Sequence, residues 1–318
     1  MATQPLVRIG ARGSKLSLAQ AGQIQRRIAV ALGYAPEEAD VVAPLVVITT
    51  TGDRVQDRRL LEIGGKALFT KEIEEALLDG RIDCAIHSMK DVPAECPDGL
   101  TIAAIPERED PRDAFLSNKA DRLEDLPQGA RLGTASLRRQ AQSLHRRPDL
   151  DVQLLRGNID TRLRKLNEGE VDATLLALAG MKRLGLEAHA KSILDPYECP
   201  PAPGQGALAV ETWVKDQDAP WLEAIRDPAT TLAVAAERGA LRTLEGSCRT
   251  PIGAHAWMAG GQLQLVVEAL TPDGKTRFRR EGSAELSALA SPFEAAQDLG
   301  TSLATAIREE AGEAIVFG

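Results

Sequence analysis

Short apolar runs alternate along this chain with longer stretches in which apolar residues recur every three or four positions. That is the pattern of strands separated by amphipathic helices. Residues 6–10 predict a short strand. From 14 to 32, Ala21, Ile24, Ile28 and Leu32 fall on one face and predict a helix. Residues 44–50 are apolar and β-branched and predict a buried strand. A polar stretch over 52–66, with Gly64-Gly65 near its end, predicts a mobile lid-like loop. A helix over 70–79 stopped by Gly80 follows, then strands over 82–87 and 100–105.

The same order then recurs. Arg8-Ile9-Gly10-Ala11-Arg12-Gly13-Ser14 is echoed by Arg131-Leu132-Gly133-Thr134-Ala135-Ser136, and Gly80-Arg81-Ile82-Asp83-Cys84-Ala85-Ile86 by Gly169-Glu170-Val171-Asp172-Ala173-Thr174-Leu175. Strands alternating with helices predict parallel βαβ units, and two such series predict two similar α/β domains facing a cleft. Short echoes of this kind also arise between unrelated βα turns. Prolines at 106 and 111 and at 200, 201 and 203 mark crossings between the domains. The expected boundaries are 1–106 with 206–226 for the first domain, 112–200 for the second and 228–318 for a third. In that third part, a helix over 230–245 precedes strands over 252–258, 262–270 and 275–281. They are joined as a meander with a turn at Pro272-Asp273-Gly274 and closed by a helix over 292–310, a small α+β domain.

Composition narrows the function. The 318 residues are long enough for two or three cores. A net charge of −8 does not draw nucleic acid or anionic membrane, and 3% aromatics argue against a base-stacking platform. No run approaches a membrane span, and the first ten residues lack the apolar core of an export signal, so a soluble, cytoplasmic protein is expected. Cys84, Cys96, Cys199 and Cys248 lie far apart, and no two His stand at ligand spacing, so neither a disulfide framework nor a metal is expected.

Against that acidic background one segment is basic. Between 131 and 165 stand eight Arg and Lys165, opposed by three Asp. Such a run is either a solvated helix face or a polyanion site. The first reading suits Arg146, Arg147, Arg164 and Lys165. The second suits Arg138, Arg139, Arg156 and Arg162, which lie at strand ends where open α/β sheets bind ligands. His87-Ser88-Met89-Lys90-Asp91-Val92-Pro93 also closes a strand. Lys90 and Asp91 are either a surface pair of little weight or cation and catalytic carboxylate. Cys248, in Glu245-Gly246-Ser247-Cys248-Arg249-Thr250-Pro251, stands on a turn beside a cation that favours thiolate. It is either a small buried hydrophobe or an attachment point.

Over nearly its whole length the chain resembles the porphobilinogen deaminase family. The resemblance rests on these segments together with Gly64-Gly65-Lys66-Ala67-Leu68-Phe69, Arg108-Glu109-Asp110-Pro111-Arg112-Asp113-Ala114, Ser136-Leu137-Arg138-Arg139-Gln140, Leu155-Arg156-Gly157-Asn158, Thr161-Arg162-Leu163 and Pro203-Gly204-Gln205-Gly206. It implies an α/β fold of two domains like type II solute-binding proteins plus a small α+β third domain. It implies an enzyme that joins four porphobilinogen molecules head to tail, losing ammonia each time, to give hydroxymethylbilane for tetrapyrrole synthesis. It implies a dipyrromethane cofactor on Cys248 and catalysis by Asp91. Cofactor contacts fall on Ser88, Lys90, Thr134, Ser136, Arg138, Arg139 and Arg162, and substrate contacts on Arg12, Ser14, Lys66, Arg156 and Arg183. A monomer without nucleic-acid or membrane partners is expected. Ser247 and Ala135 depart from the family pattern without removing a reacting group.

The chemistry agrees with these residues. Each pyrrole carries an acetate and a propionate, which gives the arginines a purpose. Loss of ammonia leaves a cationic electrophile, which a carboxylate such as Asp91 stabilises. A solute-binding protein would need export and no cysteine on a third domain. A nucleotide-binding transferase would need a phosphate loop, and none is present.

Overall fold

The computed structural model describes residues 5–51, 70–244, 250–286 and 289–315. Among them, residues within Met1–Asp57, Gly65–Glu109 and Gly206–Thr231 form one compact unit. Those within Asp110–Gln205 and Leu232–Gly318 form a second. No helix among the described residues is long and apolar enough to cross a membrane.

The first unit contains β1 (Ile9–Arg12), α1 (Lys15–Ala31), α2 (Ala39–Val42), β2 (Leu45–Ile48), α3 (Lys71–Leu78), β3 (Cys84–Ser88) and β4 (Leu100–Ala104). After an excursion into the second unit, the chain returns to add β10 (Leu208–Trp213) and α7 (Pro220–Ile225). The excursion holds β5 (Asp113–Ser117), β6 (Arg131–Gly133), α4 (Leu137–Arg146), β7 (Asp151–Gln153), α5 (Ile159–Asn167), β8 (Ala173–Ala177), α6 (Leu178–Arg183) and β9 (Ser192–Ile193). A small third domain follows, in the second unit from Leu232 on: α8 (Pro228–Thr243), the meander β11 (Ile252–Ala259), β12 (Gln262–Leu270) and β13 (Arg277–Glu285), and α9 (Pro292–Ala311).

The sequence echo has a structural basis. The first sheet runs β2-β1-β3-β10-β4 and the second β7-β6-β8-β5-β9, the same order with β1 matching β6 and β3 matching β8. In each, an Arg starting the first strand is clamped by an Asp just before its parallel neighbour. The Arg8 backbone N–H donates to Asp83 Oδ2 at 2.6 Å and its Nη2 to Oδ1 at 2.8 Å. Arg131 repeats both bonds to Asp172, at 2.9 and 3.0 Å. Two residues later the glycines also correspond. A Cβ on Gly10 would stand 2.3 Å from the Ile82 side chain, and one on Gly133 2.9 Å from Leu155 and Val171. A side chain at either position would force its neighbours to shift, the end of Ile82 at Gly10 and Leu155 with its Cβ at Gly133.

The expected parallel βαβ units are present, with β1 parallel to β2 and β3, and β6 parallel to β7 and β8, but each sheet is mixed: β10 runs antiparallel to β3 and β4, and β5 antiparallel to β8 and β9. In each sheet the antiparallel strand is the one that follows a crossing, so its direction is set by the route of the chain and not by its composition. One expectation is corrected: β2 is an edge strand with Val47 56% exposed, not a buried one. An apolar run records affinity for a sheet but not its position within it.

In the first unit Ala21, Ile24 and Ile28 of α1 pack with Ile9, Ile86 and Val210 on one side of the sheet. Ile73 and Leu77 of α3 join Ile48, Ile82 and Leu100 in a separate cluster. Each such large side chain is worth about 2–5 kcal/mol against Ala. These clusters hold the strand ends from which the candidate residues project.

Candidate functional site

In the first unit β1 and β3 are parallel neighbours, so their carboxyl ends emerge at one margin of the sheet. β1 ends at half-buried Arg12, and Ser14 follows, whose hydroxyl accepts from the Ser17 N–H at 3.2 Å and caps α1. After β3 the chain turns through a 3-10 segment, Met89–Asp91. Ser88 Oγ accepts from Gln20 Nε2 at 2.9 Å, and the Met89 N–H donates to the Ala207 carbonyl at 3.0 Å. The turn is thus tied to α1 on one side and β10 on the other, and it presents Lys90 and Asp91 to solvent. Beneath it, His87 Nε2 lies 3.0 Å from Glu211 Oε2, both side chains buried.

In the second unit the turns after β6, β7 and β8 emerge at the corresponding margin. Buried Thr134 accepts from the Ser136 N–H at 3.1 Å, and Ser136 caps α4 by accepting from the Arg139 N–H at 3.4 Å. That cap places Arg138 and Arg139 on the first turn of α4, both pointing inward and buried. They converge on Asp113: Arg138 Nη1 stands 2.8 Å from Oδ2 and Arg139 Nη2 2.8 Å from Oδ1. Gln205 Nε2 also donates to Oδ1, at 2.8 Å. Burial alone would raise the Asp113 carboxyl. The two guanidiniums overcome it and hold that carboxyl well below the usual range.

Arg156 and Arg162 come from the next turn. Asn158 caps α5 by accepting from the Thr161 N–H at 2.9 Å, and Arg162 Nε donates to the Gly157 carbonyl at 2.9 Å. Burial, then the neighbouring charges of Arg139 and Arg156, push Arg162 down to about 10. Asp113 is already shared by two arginines. Among the described residues, Arg138 Nε, Arg139 Nε and Arg156 Nη1 are buried and find no acceptor. A cation cluster under mutual repulsion, with unpaired N–H groups, is a site built for an anion. Arg183 closes α6, after β8.

Arg147 corrects the sequence reading. It was expected on a solvated face, where its replacement would do little. Instead Nη1 donates to the carbonyls of Leu123, Glu124 and Leu126 at 2.9–3.1 Å, and Nη2 to Asp149 at 2.7 Å. Three carbonyls of one turn converge on a fixed, planar donor. Replacing Arg147 by Ala is expected to destabilise the protein by about 1–3 kcal/mol in urea unfolding while leaving cofactor content unchanged. An unchanged midpoint would return Arg147 to the solvated class. Arg164, paired with Glu168 one turn on, does lie on an exposed face.

Lys66, Cys248 with its neighbour Ser247, and the expected loop over 52–64 lie outside the described residues. A family model described as the dipyrromethane cofactor binding domain of porphobilinogen deaminase matches residues 7–220, and one for the C-terminal domain matches 231–309. The chain belongs to the porphobilinogen deaminase family. A porphobilinogen deaminase of Phenylobacterium zucineum is 71% identical over the full length of both chains. One of Caulobacter sp. (strain K31) is 66% identical over all of this chain and 99% of its own. Among solved structures, the methionine-binding protein MetQ aligns over 73% of this chain and 94% of its own, with a TM-score of 0.43 and 12% identity.

A dipyrromethane bears acetate and propionate groups, and the arginines of this family member fit it. They present unpaired guanidinium N–H groups in a cluster whose counter-charge among the described residues is the shared carboxylate of Asp113. Three participants are not marked by the sequence alone: Asp113 and Gln205, which stand inside the family-like segments, and Gln20. Their signal was a polar side chain inside or beside an apolar element, and its meaning depends on partners 26 to 92 residues away.

Proposed function

We propose that in this chain Asp91 is the catalytic carboxylate and Cys248 the attachment point of the dipyrromethane. The enzyme is a deaminating transferase that condenses four porphobilinogen molecules head to tail into hydroxymethylbilane, in tetrapyrrole biosynthesis. The dipyrromethane supplies the growing end to which rings are added. The observation that carries the site assignment is the under-neutralised cluster of Arg139, Arg156 and Arg162. Together with Arg138 it holds ring carboxylates. Thr134 and Ser136 set the turn that presents the arginine pair, and Ser88, Lys90, Arg12, Ser14, Lys66 and Arg183 complete the contacts. Departure of ammonia leaves positive charge on the incoming pyrrole. The exposed Asp91 carboxylate is the group that meets that charge. The protein acts as a cytoplasmic monomer without nucleic-acid or membrane partners, in keeping with its net charge of −8.

Intact-mass spectrometry with peptide mapping tests the assignment. Active protein is expected to carry the added mass of two pyrrole rings on the peptide containing Cys248. Active protein with an unmodified Cys248 would overturn it.

Arg162 separates ligand binding from fold more cleanly than its neighbours. Loss of Arg138 or Arg139 strips Asp113 of a buried counter-charge, which is itself costly. Arg162 has no carboxylate partner among the described residues and is held against repulsion. Cofactor-free Arg162→Leu is therefore expected to melt no lower than the parent chain, while its retention of dipyrromethane falls. A drop in the melting temperature of the cofactor-free protein would make Arg162 a structural residue.

A further inference from the structure

The second unit contains a buried polar chain that the reaction as described does not use. Gln142 lies one turn beyond Arg138 on α4 and is 7% exposed. Its Nε2 donates to Glu268 Oε1 at 2.7 Å and to the Pro200 carbonyl at 2.8 Å, and its Oε1 accepts from Arg138 Nη1 at 2.8 Å. Two acceptors on one side and a donor on the other fix the amide in one orientation, since the flipped amide would face like against like at all three contacts. Glu268 is 1% exposed on β12, the central strand of the third domain, with Arg279 Nη1 4.0 Å from it. Burial raises its carboxyl above the ordinary range. Arg138 Nη1 also donates to the Pro200 carbonyl at 3.2 Å.

We infer that Gln142 and Glu268 are positioning residues that hold the Arg138 guanidinium for the cofactor and key it to the third domain. Two apolar side chains would fill the same space without burying a carboxylate, so packing does not account for the pair. A long, flexible arginine is held to one rotamer only if its donors are engaged. Here Asp113, Gln142 and Pro200 engage Nη1 and leave Nε without an acceptor among the described residues. The third domain sets the other end. Strand β11, which begins four residues after Cys248, pairs with β12 along its length and donates from the Ala254 N–H to the Pro201 carbonyl at 2.9 Å. The strand leading from Cys248 and the arginine that meets the cofactor are thereby referred to the same two prolines and to β12. The inference rests on the reading that Arg138 contacts the dipyrromethane.

The experiment measures how fast cofactor-free protein gains mass on incubation with porphobilinogen, alongside its melting temperature. Gln142→Met keeps the side-chain volume and is expected to slow loading about tenfold or more, the factor that one hydrogen bond to a charged group represents. Glu268→Leu is expected to match it, and Glu268→Gln, which keeps an acceptor, to restore the parent rate. Arg138→Lys is expected to slow loading more than either, and Arg138→Lys combined with Gln142→Met to be no slower than Arg138→Lys alone. Additive losses in that double variant, or a lower melting temperature at an unchanged loading rate, would overturn the positioning role. Unchanged loading in Arg138→Lys would instead overturn the reading of Arg138 on which it rests. If Gln142→Met does not fold, Glu268→Leu against Glu268→Gln carries the same comparison.

Discussion

Replacing Asp91 by Asn is expected to lower turnover by about a hundredfold or more while leaving the fold, and the bound dipyrromethane, in place. The size follows from the role: an electrostatic stabiliser of developing charge is worth about 3 kcal/mol when removed. The selectivity follows from the structure. The Asp91 side chain is exposed at the end of a 3-10 turn, and among the described residues no hydrogen bond or ion pair ties its carboxylate into the fold. The turn itself is held by Ser88 with Gln20 and by the Met89 N–H on Ala207, none of which the substitution touches. Asn keeps the shape and loses only the charge. Glu keeps the charge and shifts its position, so Asp91→Glu is expected to retain part of the activity and to accumulate longer-lived substrate-bound intermediates. Steady-state turnover with intact-mass analysis of the species present distinguishes the two. If the Asn variant turns over as fast as the Glu variant, the charge is not what the chemistry uses.

Replacing Cys248 by Ser is expected to abolish activity altogether, giving folded protein with no covalently bound pyrrole. A hydroxyl is too weak a nucleophile at neutral pH to stand in for a thiolate. The other cysteines serve as controls. Burial pushes the Cys84 thiol up strongly, and burial also raises Cys199 although Arg146 Nη1 lies 2.8 Å from its sulfur. Neither forms a ready thiolate. Changing Cys84, Cys96 or Cys199 to Ala is expected to spare loading, at some cost in stability for the two buried ones. Near-normal turnover in Cys248→Ser would sink the attachment, and loss of bound pyrrole in a Cys199→Ala variant that still folds would move it elsewhere.

Most secondary elements were legible in the sequence because they depend on neighbours a few residues apart. The helix over Lys15–Ala31 announces itself by Ala21, Ile24 and Ile28 and by Ser14 at its start. The meander announces itself by two apolar runs and the Pro272-Asp273-Gly274 turn that leads into a third, polar strand. The echoed segments are real because Arg8 with Asp83 and Arg131 with Asp172 make the same clamp. The candidate residues were legible too, as chemistry gathered at strand ends.

What the sequence could not decide is which charges meet. Arg147 and Arg139 stand in the same basic run. Tertiary structure sends one to the carbonyls around Leu123–Leu126 and the other to Asp113. Among the described residues Arg162 has no carboxylate partner, and Arg138 has one with Gln142 and Glu268 behind it. It likewise set the direction of β5 and β10 and left β2 at an edge. Periodicity and capping are short-range and are written locally. The state of a buried charge depends on groups that only folding brings within a few ångströms, here as far apart in sequence as Gln142 and Glu268.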